Sequence, residues 1–357
     1  MRKLISDEGL YNVANTLDQL MNMDVPARGT IGVLSEAARK LQNGDPMTLA
    51  AIRLLQKTVK RGDYVFIATG WADQPGNVAT KSETDGPAGA LAMARAIRVT
   101  LGGLPVIVTD DYLVDDMKLV MRANGMHVVE PEALANSLST ELGFACVPTI
   151  AVVGVPIDDE AGHQRCIELL DRFKPTCEIA IERGAMNKHG RIHGMGGYDF
   201  AWNMAKLDHL FTEGKARGIA SIGIGIGDGG NEIGMANIED VIRAKVRNGN
   251  MCKCPCHSGI APDVSKVDVL LSATISNWAG YAISMLLGLA EGDLSAMDNE
   301  ELEQRVLNAY IDAEFHDSVG SHVGPSVDGC EAGVHLALIR LMRKTVTMGI
   351  ARFPAED

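Results

Sequence analysis

The chain has 357 residues, enough for one large α/β domain or two modest ones. Its formal net charge of −13, from 33 basic and 46 acidic residues, comes with no clustered basic face, which disfavours a nucleic-acid partner. No run of about 18 apolar residues appears, the N-terminus lacks an apolar signal core, and seven cysteines do not read as a secreted disulfide framework, so a soluble, cytoplasmic protein with no membrane partner is expected.

In chain order, residues 1–60 read as a helical N-terminal cap and residues 61–357 as one continuous α/β domain. Short β-branched, apolar runs predict strands at 64–69, 105–109, 127–130, 149–154, 178–182, 219–225 and 267–275. Between them the spacing is helical. Ala90, Ala94, Ile97 and Leu101 share one face, and Pro87 sits where a first helical turn accepts proline. Residues 279–289 are apolar almost all round and predict a buried helix too short to span a bilayer. Near the C-terminus Leu302, Val306, Leu307 and Tyr310 form the apolar face of another helix. Strands alternating with helices imply an open, largely parallel sheet covered on both faces, a Rossmann-like three-layer α/β fold.

In such a sheet, ligands collect beyond the C-terminal ends of the strands. The residues just after each predicted strand are therefore the first candidates for a site. The first strand opens into Ala68-Thr-Gly70, a loop carrying Gly76 and Asn77, and Glu83-Thr-Asp-Gly-Pro87. Asp110 and Asp111 come after the second, Glu130 ends the third, Glu182 and Arg183 come after the fifth, and Ser276-Asn-Trp278 after the seventh. The sixth leads into Gly225-Ile-Gly-Asp-Gly-Gly-Asn-Glu-Ile-Gly234. Gly225, Gly227 and Gly230 satisfy G-x-G-x-x-G, a weak dinucleotide signal by itself. Asp228 inside that loop and Glu232 just beyond it would repel a pyrophosphate, so the loop suits an oxygen-ligated Mg²⁺ or Mn²⁺ better.

Several of these acids also have an ordinary structural reading. Asp85, and likewise Asp110 and Asp111, are placed to cap the next helix. Glu182, after Ile179-Ala-Ile181, has no capping role to explain it. Cys252-Lys-Cys-Pro-Cys256-His257 holds soft donors, but C-x-C-x-C-H is not a usual zinc spacing and no second cysteine pair is near, so an exposed turn is expected. His189 and His193 lie in a glycine-rich loop and read as surface residues. No G-x-S-x-G elbow and no P-loop occur.

The Ala68-Thr-Gly70, Glu83-Thr-Asp-Gly-Pro87, Ala180-Ile-Glu-Arg183, Gly227-Asp-Gly-Gly-Asn-Glu-Ile-Gly-Met235, Ser276-Asn-Trp278, Gly280-Tyr281 and Val327-Asp-Gly329 segments occur in the order seen in one family. The chain resembles the D-glutamate cyclase-like proteins, specifically the domain at the C-terminus of the animal mitochondrial enzyme, over roughly residues 28–329. The resemblance implies cyclisation of D-glutamate to 5-oxo-D-proline with loss of water, at an acidic Mg²⁺ or Mn²⁺ site. The chain departs from the family in its cysteine-rich insert 252–257 and in Ala236, where glycine is usual after the motif. It is also too short to include the N-terminal hydro-lyase-like domain of the animal enzyme.

On this reading Glu182, Asp228 and Glu232 hold the metal, and Glu83 or Asp85 serves as ligand or base. Thr69, Gly70, Thr84, Asn231, Ser276 and Asn277 bind the ends of an amino-acid substrate, with Arg183 as a carboxylate clamp. A homo-oligomer is expected. Clustered carboxylates around a divalent cation would equally serve a phosphatase acting on a small phosphate ester, and a non-catalytic ligand-binding protein is the reading from another class.

Overall fold

The structure, a computed structural model, describes residues 3–72, 80–138, 147–219 and 222–355. Three helices, α1 (Asp7–Met21), α2 (Ile31–Leu41) and α3 (Met47–Thr58), precede the first strand. Strands and helices then alternate: β1 (Tyr64–Ala68), α4 (Pro87–Ala96), β2 (Leu104–Asp110), α5 (Val114–Arg122), β3 (His127–Val128), β4 (Thr149–Val155), α6 (Asp159–Phe173), β5 (Cys177–Ile181), α7 (Asp208–Ala216), β6 (Ile222–Gly227), α8 (Glu239–Lys245) and β7 (Val269–Ser272). The chain closes with α9 (Ser276–Ala290), α10 (Glu300–Asp312), two short hairpins and α11 (Ala332–Arg352). The Gly76 and Asn77 loop lies outside the described residues.

All seven strands are parallel, in the order β3-β4-β2-β1-β5-β6-β7, within a three-layer α/β arrangement. The chain runs outward from β1 on one side through β2 and on the other through β5, so the switch in direction falls between these two central strands. Their registers align Ala68 with Ala180, which carries the residues after β1 and after β5 to one crevice. Ile67, Ile107, Val65 and Ile179 have no solvent exposure, each contributing about 1.5–3 kcal/mol by burial. Among the strand ends that differ from expectation, two move an acid relative to the sheet edge. β3 stops at Val128, so Glu130 is off the sheet edge, where its carboxylate lies 3.9 Å from the Lys118 ammonium. β6 runs on to Gly227, which delivers Asp228 directly to the edge.

The helix expected at 279–289 is α9, and it is buried along its whole length but for its last residue. It packs against α1, α3, α4 and α11. It meets α4 where two glycines face each other: a Cβ on Gly280 would fall 2.4 Å from the Gly89 Cα. That contact brings the N-termini of α4 and α9 side by side at the sheet edge. No helix among the described residues is long and apolar enough to cross a membrane.

Candidate active site

The glycine-rich loop after β6 is organised by its own glutamate. Glu232 turns back so that one carboxylate oxygen accepts the N–H groups of Asp228 (3.0 Å) and Gly229 (2.6 Å). Its other oxygen accepts those of Gly230 and Asn231, both at 2.8 Å. Four converging N–H groups make an anion-binding nest, and they fill the roughly four lone-pair sites a carboxylate offers. A pyrophosphate would need those same N–H groups, so the loop has no place for a dinucleotide. The expected metal set of Glu182, Asp228 and Glu232 comes together, with Glu232 also serving the loop. An oxygen of Glu232 lies within 4.8 Å of donors on Glu182 and Asp228, and both its oxygens also accept loop N–H groups. Gly227 must be glycine, because a Cβ there would lie 2.5 Å from the Glu232 carboxyl carbon.

With Glu232 tied down, Asp228 points toward Arg28 and Asp328. Arg28, on the connection between α1 and α2, donates from Nη1 to Asp228 in a short contact and from Nη2 to Asp328 at 2.6 Å. Burial pushes the Asp228 carboxyl up to about 6, opposed by the Arg28 guanidinium and helped by Glu232. Burial and then the charge of Asp228 push Asp328 up to about 7.

Asp85 sits beside this pair, and its role differs from the expected cap of α4. It caps α9 instead, accepting the N–H groups of Ser276 (2.7 Å) and Asn277 (2.8 Å) as well as that of Gly86 (2.9 Å). Even so, burial first and the charges of Asp328 and Asp228 next hold it well above the usual carboxylate range. Glu182 takes a left-handed backbone, φ 44°, directly after β5, a conformation rare outside glycine and concentrated at functional sites. Its carboxylate accepts the Ser276 hydroxyl at 2.5 Å, and burial followed by Asp228, Glu232 and Asp85 raises its pKa strongly.

Several of these side chains border a cavity of about 350 Å³, the size range of a small-molecule site. Of the expected residues, Glu83, Glu182, Asp228 and Asn231 line it, joined by Arg28 and Asp328. Asn231 donates to the His193 carbonyl at 2.7 Å, and its own amide oxygen has no partner among the described residues. The rest stand behind the wall. Asn277 spends its amide on the N-terminus of α4, accepting from Gly86 and Gly89 and donating to the Thr84 carbonyl. Thr69 and Thr84 are buried, with hydroxyl oxygens lacking partners among the described residues. The Gly70 carbonyl accepts from Arg183 at 2.5 Å.

Arg183 is not placed as a substrate clamp. It is fully buried, binds Asp110 through two 2.7 Å bonds and also donates to the Ala205 carbonyl at 2.6 Å. Asp110 is thereby spent on Arg183 and the Ala205 N–H, and no side-chain cap forms at that turn. Asp111, one residue on, is exposed. The expected surface positions also change. Cys252, Cys254 and His193 are 4%, 8% and 1% exposed, whereas His189 is exposed as expected.

Arg28 carries no signal that sequence alone could use, and Asp328 is marked only as part of the Val327-Asp-Gly329 segment. A lone arginine between two helices has no local pattern around it, and Asp328 precedes Gly329 with φ 55°, so it reads as an ordinary Asp-Gly turn. Asp85, Asp228 and Asp328 present oxygens within 4.8 Å of one another, all three residues buried. Oδ2 of Asp85 accepts the Ser276 N–H and keeps further acceptor capacity. Hard oxygen donors offset by one shared guanidinium fit a Mg²⁺ or Mn²⁺ ion.

A family model described as "D-glutamate cyclase-like, C-terminal" matches residues 17–343. Human mitochondrial D-glutamate cyclase is 26% identical over 292 residues, covering 74% of this chain and 42% of that protein, so the chain spans less than half the length of this relative.

Proposed function

The chain belongs to the D-glutamate cyclase-like family, and on that premise we propose that it cyclises D-glutamate to 5-oxo-D-proline. The observation that carries this reading is the convergence of Glu182, Asp228 and Asp328 on a cavity sized for one amino acid, with Asp85 close behind Asp228 and Asp328. The reaction joins the α-nitrogen to the side-chain carboxyl carbon. Two protons leave nitrogen, one carbon–oxygen bond breaks and water departs.

A divalent cation held by Asp85, Asp228 and Asp328 would supply Lewis-acid polarisation of that poor electrophile and offset the charge developing on its oxygen. Glu182 accepts a proton from the substrate ammonium group. Its raised pKa suits that task, and the Ser276 hydroxyl fixes the orientation of its carboxyl group. Arg28, the one cationic side chain among the described lining residues, faces a substrate carboxylate. Asn231, with its unpartnered amide oxygen, faces the ammonium end. Trp71, 6.1 Å from Phe200 between ring centres, walls the cavity and limits water. The enclosure holds the chain folded, amine against carboxyl, and so replaces an entropic cost of the ring closure with binding.

The test is NMR of metal-stripped protein with D- and L-glutamate and a panel of other amino acids and phosphate esters, with and without Mn²⁺ or Mg²⁺. Metal-dependent 5-oxoproline from D-glutamate alone is the expected result. Turnover of a phosphate ester with D-glutamate untouched would overturn it, as would ligand binding that survives metal removal and yields no product.

A further inference from the structure

The cysteine-rich insert and a histidine distant in sequence form a second cluster, apart from the carboxylates. The sulfurs of Cys252, Cys254 and Cys256 lie 3.5, 3.4 and 3.2 Å from one another. The His193 Nε2 approaches Cys254 at 3.2 Å and Cys256 at 3.6 Å, although 61 residues separate it from Cys254. All four donor atoms fall within 4.8 Å of one another. His257, the histidine of the C-x-C-x-C-H run itself, is exposed and not among them.

We propose that His193, Cys252, Cys254 and Cys256 form a closed, four-ligand site for a soft divalent cation, zinc by donor type. Three sulfurs and an imidazole nitrogen are the Cys₃His donor set of structural zinc. Around a tetrahedral ion with bonds of about 2.3 Å to sulfur, ligand sulfurs stand about 3.7 Å apart, close to the spacing here. Three protonated thiols gain little from such crowding, whereas an ion gives them a common partner. Binding deprotonates the thiols and releases those protons to solvent. The surroundings suit thiolates: the Cys256 N–H points at the Cys254 sulfur at 3.4 Å and the Asn187 amide at the Cys256 sulfur at 3.6 Å. Among the described residues no fifth donor joins the set, so the role is structural.

The ion would hold the outer wall of the active-site cavity. The His193 carbonyl accepts from Asn231, the Lys253 N–H donates to the Gly197 carbonyl at 2.8 Å, and the Lys253 ammonium lies 4.3 Å from the Tyr198 ring centre. Tyr198 and Asn231 both line the cavity. The site thus ties an irregular loop, which lies outside the seven-stranded sheet, to the insert that crosses it.

The experiment is elemental analysis of protein purified without chelator, together with cobalt substitution. About one zinc per chain is expected, and Co²⁺ added to the reduced, stripped protein should give the thiolate charge-transfer absorption and the red d–d bands of tetrahedral coordination. His193→Ala and Cys256→Ser should lose the metal at least tenfold, whereas His257→Ala and Asp228→Asn should keep it, which separates this site from the carboxylates. Should Cys254→Ser fail to fold, the wild-type cobalt spectrum and the half-buried Cys256 still decide the matter. Less than a tenth of an equivalent of zinc with no cobalt–thiolate absorption would overturn the proposal. So would a disulfide among the three cysteines in freshly isolated protein, or equal metal loss in the His193 and His257 variants.

Discussion

Arg28 donates to Asp328 across 300 residues of sequence, at 2.6 Å, while its other terminal nitrogen holds Asp228. The first loop of the chain, the loop after β6 and a hairpin near the C-terminus therefore meet on one guanidinium. Two buried carboxylates that would otherwise repel each other are held together by it.

Arg28→Ala strips both carboxylates of their counter-charge. The metal-free protein should lose about 3 kcal/mol of unfolding free energy, the usual scale for orphaning a buried charge. Mn²⁺ should restore part of this by neutralising the same oxygens. Urea unfolding with and without Mn²⁺ gives the answer, and unchanged midpoints would remove Arg28 from this role.

Glu232 and Asp228 should part company on substitution. Glu232→Gln replaces one acceptor oxygen with an NH₂ group and leaves two loop N–H groups facing a donor, so stability falls by about 2 kcal/mol or more. Asp228→Asn keeps the fold but abolishes metal-dependent turnover. Equal stability of Glu232→Gln and wild type, with turnover lost, would assign Glu232 to the metal alone.

Asp328 contributes to the pH dependence of stability. Its carboxyl is raised from an ordinary 3.8 to about 7, so the native state holds a proton that the unfolded chain has already released. Stability of the metal-free protein therefore declines as pH rises from the ordinary carboxylate range through about 7. Asp228, Asp298 and Glu303, raised to about 6, 7 and 8, add slope of the same sign. Melting temperatures between about pH 5 and 8 should fall in wild type and fall less in Asp328→Asn. A slope identical in the two proteins would refute the assignment.

Arg183→Lys tests whether that arginine reaches substrate. Lysine cannot reproduce the two-pronged grip on Asp110, so stability should drop by about 3 kcal/mol while the KM of the folded fraction stays put. A raised KM with unaltered stability would show instead that Arg183 binds substrate.

Much of this protein was legible one residue at a time. Strand positions come from β-branched runs, α9 from unbroken apolarity, and the place of Glu182 and Asp228 at the sheet edge from acids that directly follow strands. Such signals are local: side-chain period, turn chemistry and the edge to which a parallel strand delivers its next residue all depend on neighbours in the chain.

Which acids share a site was decided only by the tertiary structure. Asp85 caps a helix about 190 residues away, Asp110 belongs to Arg183, Glu232 to its own loop, and Asp328 to a cluster that its Asp-Gly turn gives no hint of. His193 joins the three cysteines, while the adjacent His257 does not. A carboxylate or imidazole carries the same letter whether its lone pairs are committed or available. The difference lies in which N–H groups, cations and thiols the folded chain brings within about 3 Å, and composition and spacing do not encode that distance.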